Sequence, residues 1–360
     1  MGGGSSTRHR ESAYTITCTS NNQSAAAIDW LGRALKVKGA LSLNVFRIET
    51  IVGTGFVGSV ATAQHKASKK YFALKSVYKS DAVAKKMVTS LFREKQALRD
   101  LGGIPGVVQS FGTLQTRDQV IFVLEYVPGG ELFHWLHEYR AFSDMEAKFY
   151  AAELLVCLER IHAEDYVYRD LKPENVLLDA SGHLKLVDFG FSKPHMTLET
   201  RTYTSLGTPQ YLAPEQLKPQ GGYTRAVDWW ALGCVVFELL VGRTPFYKGR
   251  GDSPFEIYTR VVQGSFSCPK TISKDAKDFI SQLLRPERSR RLVDPSIMRA
   301  HPWFTSIVWA DVEAHQILPP IIPSLHRPGD VTCFDAPSVP ARDPRSVQCT
   351  AAMDDAFVEF

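Results

Sequence analysis

From Phe46 onward, short β-branched apolar runs alternate with polar breaks: FRIETIV (46–52), SVATAQH (59–65), KYFALKSV (70–77) and QVIFVLEYV (119–127). Runs of this length and composition predict strands. One segment between them has a helical period instead, KKMVTSLFREKQALRDL (85–101). After the turn signal PGGE (128–131) the pattern becomes helical, and SDMEAKFYAAELLVCLERIH (143–162) opens on a predicted capping box of Ser143 and Glu146. The pattern predicts an α+β chain in which a β-rich lobe precedes a mainly helical one.

The flanks read differently. AAAIDWLGRALKVKG (25–39) places Ile28, Leu31 and Leu35 on one helical face beside Trp30, which predicts an amphipathic helix. The last 42 residues hold 7 of the 20 prolines and little periodicity, so they predict an extended strap rather than a further core. The strap nevertheless carries Phe357, Val358 and Phe360 in its last four positions. Leaving an aromatic side chain in water forgoes about 1.5–3 kcal/mol of burial, so this end of the chain predicts a pocket.

Composition narrows the class without naming it. The 360 residues are 44% hydrophobic and 22% charged with a net charge of +4, ordinary values that point to no nucleic acid or other polyanionic partner. Six cysteines lie scattered, with no C-x-x-C pair and no histidines at zinc-ligand spacing, so they read as free thiols in a reducing compartment. No apolar run reaches the length of a membrane span and the start MGGGSSTRHR lacks a signal-peptide core, which together predict a cytoplasmic protein. That start also fits M-G-x-x-x-[ST] with Gly2 and Ser6. It stands equally as a Gly/Ser leader or as an N-myristoylation site giving reversible membrane contact only, with weak help from Arg8 and Arg10.

Candidate chemistry begins at Gly53-Thr54-Gly55-Phe56-Val57-Gly58, between two predicted strands. A dinucleotide fold would need a helix directly after the glycines; here a strand follows, and Lys75 stands inside it. A lysine in an apolar strand needs a partner, and Glu94 in the helical segment is the candidate. Further on stand Tyr168-Arg169-Asp170-Leu171-Lys172-Pro173-Glu174-Asn175, then Asp188-Phe189-Gly190, then Ala213-Pro214-Glu215.

In this order and spacing the motifs resemble the protein kinase family over about Phe46 to Phe304, with Tyr168 where the family usually has His. VDWWALG (227–233), RTYTSLGTPQYLAPE (201–215), LEYVPGGELF (124–133), AHPWF (300–304) and the terminal Phe-x-x-Phe resemble the AGC group, and within it the cAMP-dependent protein kinase catalytic subunits. The resemblance implies a bilobal fold: a leader and amphipathic helix at 1–45, a small lobe at 46–127, a large lobe at 128–304 and an AGC-type tail at 305–360.

It also implies ATP and Mg²⁺ as cofactors and a role for each matching position. Asp170 would face the attacking hydroxyl, Lys172 would neutralise the γ-phosphate, and Lys75 paired to Glu94 would hold the α- and β-phosphates. Asp188 and Asn175 would bind the metal. Nucleotide contacts are implied at Gly53, Thr54, Gly55, Gly58, Val60, Ala73, Glu125, Val127, Glu131, Glu174 and Leu177. Glu131, Glu174 and Glu238 match carboxylates that bind substrate arginines, which implies protein substrates of the type Arg-Arg-x-Ser/Thr. Thr204 matches an activating phosphosite gripped by Arg169 and Lys193, Tyr203 matches an aromatic that docks a cyclic-nucleotide-binding regulatory subunit, and Phe357 and Phe360 match a tail motif that packs beside the helix carrying Glu94.

Several positions depart from the pattern. Ser90 replaces a histidine that normally also grips the phosphate, and the segment from Asp188 to Thr204 is longer than usual, so weaker loop ordering is expected. Ser205 replaces a leucine that favours a large apolar residue after the phosphosite, and Gln210 replaces an acid that selects a more distant arginine. Phe56-Val57 reverses the usual loop tip, and Phe334 lacks its following tyrosine, which puts its adenine contact in doubt. A binding scaffold of this family would have lost Lys75, Asp170 or Asp188; all three remain, so the reading is an active enzyme rather than a pseudokinase.

Overall fold

A computed structural model describes residues 42–55, 58–197, 199–203, 208–217, 221–249, 251–335 and 349–360. The expected helix at 25–39, the leader with Gly2, the loop-tip pair Phe56 and Val57, and Thr204 and Ser205 lie outside the described residues.

Five strands form one antiparallel sheet in the order β1-β2-β3-β5-β4: β1 (Phe46–Thr54), β2 (Gly58–His65), β3 (Tyr71–Tyr78), β4 (Ser110–Gln115) and β5 (Gln119–Glu125). Successive side chains of a strand face opposite ways, and β5 uses both faces. Val120, Phe122 and Leu124 join the main core with the helix Val88–Leu101, whereas Ile121 and Val123 close a smaller core with Phe46, Phe72, Leu74 and Leu114. Helix α1 (Lys79–Ala84) leads into α2 (Val88–Leu101), which lies against this sheet. β4 carries the polar, half-buried sequence SFGTLQ, with Gly112 at φ 137°, so apolar alternation did not announce it.

The large lobe begins with α3 (Leu132–Tyr139) and α4 (Asp144–Ala163). α4 starts at the expected capping box, where Glu146 N donates to Ser143 Oγ at 3.3 Å and Ser143 N to the Glu146 carboxylate at 2.7 Å. A hairpin of β6 (Val176–Leu178) and β7 (Leu184–Leu186) follows. Helix α5 (Ala226–Val241) is buried around nearly its whole circumference, with Trp229, Trp230 and Phe237 inside. A helix that is apolar all round belongs at the centre of a core, and the lobe packs around this one, with α6 (Pro254–Gln263) and α7 (Lys274–Leu283) beyond.

The strap returns along the hinge between the lobes. A Cβ on Gly130 would run into the Cys333 carbonyl, Tyr126 donates its hydroxyl to the Asp330 carbonyl, and Phe334 stacks on Tyr126 at 6.3 Å. The chain then reaches the small lobe, where the short helix Ala351–Asp355 precedes the two terminal aromatics.

Candidate active site

β1 and β2 turn tightly, with Gly53 opposite Val60 and Gly55 N donating to Gly58 O at 2.8 Å. A Cβ on Gly58 would collide with the Ser76 carbonyl, which requires glycine there for steric reasons. Lys75 on β3 reaches Glu94 Oε1 on α2 at 2.6 Å and Asp188 Oδ1 at 3.4 Å. Burial opposes its charge, but Asp188 and Glu94 outweigh that cost and hold the lysine above its ordinary value. The expected pair is therefore a triad that joins sheet, helix and the segment after β7.

Asp170 is 5% exposed and surrounded by donors. Its Oδ2 accepts from Asn175 Nδ2 at 2.7 Å and lies 3.1 Å from Lys172 Nζ, while Oδ1 accepts from Thr208 Oγ1 at 3.3 Å. Lys172 also donates to Thr208 Oγ1 at 3.0 Å. Burial lifts the Asp170 carboxyl above its usual range against the pull of Lys172. Asp188, with its side chain 49% exposed, is held below that range, first by Lys75. Arg169 and Asp188 adopt φ of 70° and 58°, left-handed values that are rare outside glycine and cluster at functional positions.

The backbone of the segment from Tyr168 to Asn175 has an anchor that the sequence reading left out. Asp228 of α5, fully buried, accepts Tyr168 N at 2.9 Å, Arg169 N at 2.8 Å and His162 Nε2 at 2.8 Å. Thr208 was likewise not singled out. A carboxylate inside the apolar run VDWWALG was the available signal for Asp228, because a buried charge must be paid for by several donors. Tyr168 replaces histidine without loss of packing: its ring lies 5.1 Å from that of Phe189, and both are fully buried.

Most of the positions expected to contact nucleotide lie on β1, β2 and β3, at the end of β5 and on β6. Val127 belongs to the main core, and the partly buried Ala73 and Leu177 pack against it. Val60 faces Lys75 across the β2–β3 register, and Thr54 pairs with Ser59. The Glu125 carboxylate is committed to Gln109 N at 3.1 Å and Lys185 Nζ at 3.1 Å, and Glu125 N donates to Gln109 O at 2.8 Å.

The three glutamates expected to meet arginines form an acidic pocket that is only partly compensated. Burial, then the neighbouring Glu174 and Asp335, pushes Glu131 up to about 7 against the pull of Lys172. Burial pushes Glu238 up to about 7 although Tyr211 donates to its Oε2 at 2.6 Å, and Glu174 again adds to the rise. Glu174 Oε2 is itself buried with no hydrogen-bond partner among the described residues. Carboxylates kept together at this cost are expected where an incoming cation will pair with them.

Arg169 donates to the carbonyls of Phe191 at 2.6 Å and Ser192 at 3.5 Å and to Tyr223 Oη at 3.1 Å, and Lys193 donates to Thr202 Oγ1 at 3.0 Å. Burial lowers Lys193, and the adjacent charges of Arg169 and Arg93 lower it further. Arg93 of α2, not considered in the sequence reading, thus brings a third cation to this neighbourhood close to the position where Ser90 lacks one.

Phe357 and Phe360 are buried against α2 and β5, Phe357 stacked at 6.5 Å on Phe92 and Phe360 edge-on to Phe92 at 5.2 Å and Phe122 at 5.4 Å. Gln115 Nε2 donates to Phe357 O at 2.9 Å and Thr113 Oγ1 to Phe360 O at 3.2 Å. Lys79, whose side chain is 0% exposed, pairs with Asp354. Truncating Phe357 to Ala is expected to cost about 3 kcal/mol of packing and, because Phe92 and Glu94 share α2, to lower turnover along with the melting temperature. A variant that melts early yet turns over normally would separate the tail from the Lys75 triad.

Residues 46–304 match the protein kinase domain family. A human protein named cAMP-dependent protein kinase catalytic subunit PRKX is 40% identical over 298 residues, 82% of this chain and 81% of that protein. A Dictyostelium discoideum protein named cAMP-dependent protein kinase catalytic subunit is 40% identical over 297 residues, covering 81% of this chain and 45% of the relative. A Danio rerio protein named serine/threonine-protein kinase N2 is 38% identical over 332 residues, 89% of this chain and 33% of that protein.

Proposed function

The chain belongs to the protein kinase family, and from that premise we propose how its residues divide the work and which hydroxyls it selects. It is a Ser/Thr kinase that uses ATP and Mg²⁺. The donor set suits a hard cation: both amide hydrogen bonds of Asn175 go to Asp170, which leaves the Asn175 oxygen available, and the half-exposed Asp188 carboxylate is kept ionised by Lys75. Bound there, Mg²⁺ supplies charge neutralisation on the phosphate oxygens.

Asp170 orients the substrate hydroxyl and accepts its proton. Lys172 stands beside it to meet the negative charge of the transferring group, and Thr208 fixes both. Lys75, held charged by Glu94 and Asp188, binds the α- and β-phosphates, and the close turn at Gly55 and Gly58 lets backbone amides approach them. Arg169 and Lys193 would receive a phosphate on Thr204.

Substrates carry arginines two and three positions before the phosphorylated Ser or Thr. The observation that carries this reading is the trio Glu131, Glu174 and Glu238, in which burial and mutual repulsion raise Glu131 and Glu238 and one Glu174 oxygen has no partner among the described residues, since guanidinium pairs with carboxylates through a rigid fork. An oriented peptide library tests it: enrichment of Arg at both upstream positions is expected, and a flat profile there would refute it. Regulation follows from the relatives, which are named as catalytic subunits. Tyr203, 63% exposed, is the proposed docking point for a cyclic-nucleotide-binding regulatory subunit. Purification from the native cell at low salt, followed by elution with cAMP or another cyclic nucleotide, identifies that partner; a Tyr203→Ala protein that still binds it would move the contact elsewhere. Gly2 remains the proposed point of reversible membrane contact for an otherwise cytoplasmic enzyme.

A further inference from the structure

The segment leading into the strap and the large lobe also meet at two stacked imidazoles, outside the residues that handle substrate and nucleotide. His183 closes the turn between β6 and β7, and its Nδ1 lies 2.6 Å from Glu153 Oε1 on α4. Glu153 Oε2 is taken by Leu184 N at 3.0 Å, so both carboxylate oxygens are engaged. His315 follows the short helix Trp309–Glu313 at φ 54°, and its ring lies parallel to that of His183, with centroids 4.4 Å apart and planes at 18°. The chain then continues over the hairpin, where a Cβ on Gly182 would strike the Ile321 carbonyl and Pro319.

Glu153, His183 and His315 are close enough to suggest a metal site, but the ring geometry argues otherwise. Lone pairs of nearly parallel imidazoles lie in separate planes, so one ion cannot take both without turning a ring. What the stack can bind is a proton. We propose that it is an acid-operated latch: it holds residues 309–321 on the β6–β7 hairpin while one ring is neutral, and it opens when both rings are protonated.

The charges facing the stack decide which ring stays neutral. Burial opposes a proton on His183, but its hydrogen bond and charge contact with Glu153 outweigh burial and hold it above its ordinary value. His315 is held below its ordinary value by burial first, with His183 and Lys185 adding to the effect, against the opposite pull of Glu153 and Asp179. On its own segment, Glu313 is committed to Arg299 at 2.5 Å and supplies no compensation. The sign follows directly. Released, His315 takes a proton at about its free value near 6.5; docked, it does so only at lower pH, so acid favours release by up to about tenfold per pH unit below that value. The hairpin runs from Val176 to Leu186 and is flanked in the chain by Asn175 and Asp188, so loosening its cover acts on the segment between two proposed metal ligands.

Hydrogen exchange on the full chain between pH 7.5 and 5.5, corrected for intrinsic rates, reads the latch. Protection of 309–321 is expected to fall about tenfold in the wild type and to stay flat in His315→Gln, which has no proton to take. An equal fall in both proteins, or none in the wild type, overturns the proposal. His183→Asn keeps a donor for Glu153 but removes the second charge, so NMR titration should show His315 moving up toward its ordinary value; no movement also overturns it. Should that variant fail to fold, the His315→Gln comparison decides alone.

Discussion

Asp170→Ala is expected to lower kcat by about 10²–10⁴-fold, the range for loss of a positioned general base, while ATP binding survives because Lys75, Glu94 and Asp188 hold one another without it. Alanine also removes the acceptor for Asn175, Thr208 and Lys172, so that variant alone leaves a structural cause open. Asp170→Asn separates the two. It keeps the volume and an acceptor oxygen but cannot take the substrate proton at neutral pH. If Asn is as inactive as Ala, in single-turnover transfer to an Arg-Arg-x-Ser peptide, proton acceptance is the role; recovery toward wild type would make Asp170 a scaffold for its neighbours. Because burial raises the Asp170 carboxyl, kcat is expected to decline as acid protonates it.

The second large effect is on KM, and its sign is set by the acidic pocket. Glu131 and Glu238 stand at about 7 in the free protein, so each is part-protonated at neutral pH, and an arginine must displace that proton to bind. Below about 7 each carboxyl penalises the guanidinium by up to tenfold per pH unit, so lowering the pH from 8 to 6 is expected to raise KM for an Arg-Arg-x-Ser peptide by roughly 10- to 100-fold. A peptide with alanine at both upstream positions should bind weakly throughout, with no comparable slope. Glu238→Gln should remove part of the slope and weaken binding at pH 8. A slope that persists with the alanine peptide would locate the titration elsewhere, with Asp170 the first suspect.

Much of this molecule was legible in its sequence, for identifiable reasons. Strands β2 and β3 and helix α2 set apolar against polar positions at the period of their own backbone, β1, β5 and α4 are legible as apolar stretches of strand or helix length, and the capping box of Ser143 and Glu146 is local chemistry that needs no tertiary partner. β4 was not legible because an edge strand with one half-buried face needs few apolar residues. Asp228 and Thr208 escaped because neither carries a distinctive spacing of its own; their importance lies in the groups that fold onto them.

By itself the sequence determined the reacting residue types, their order and the element each sits on, because those depend on motif spacing and local periodicity. Even the two aromatics at 357 and 360 announced a pocket through the cost of exposing them. Only the tertiary structure decided which charges meet: that Lys75 answers to Asp188 as well as Glu94, that Glu131 and Glu238 share a pocket with an unsatisfied Glu174, and that Arg93 comes near Lys193. The physical reason is range. Periodicity is written in neighbours along the chain, whereas Coulomb forces and desolvation act between residues as far apart as Lys79 and Asp354, brought together only by packing.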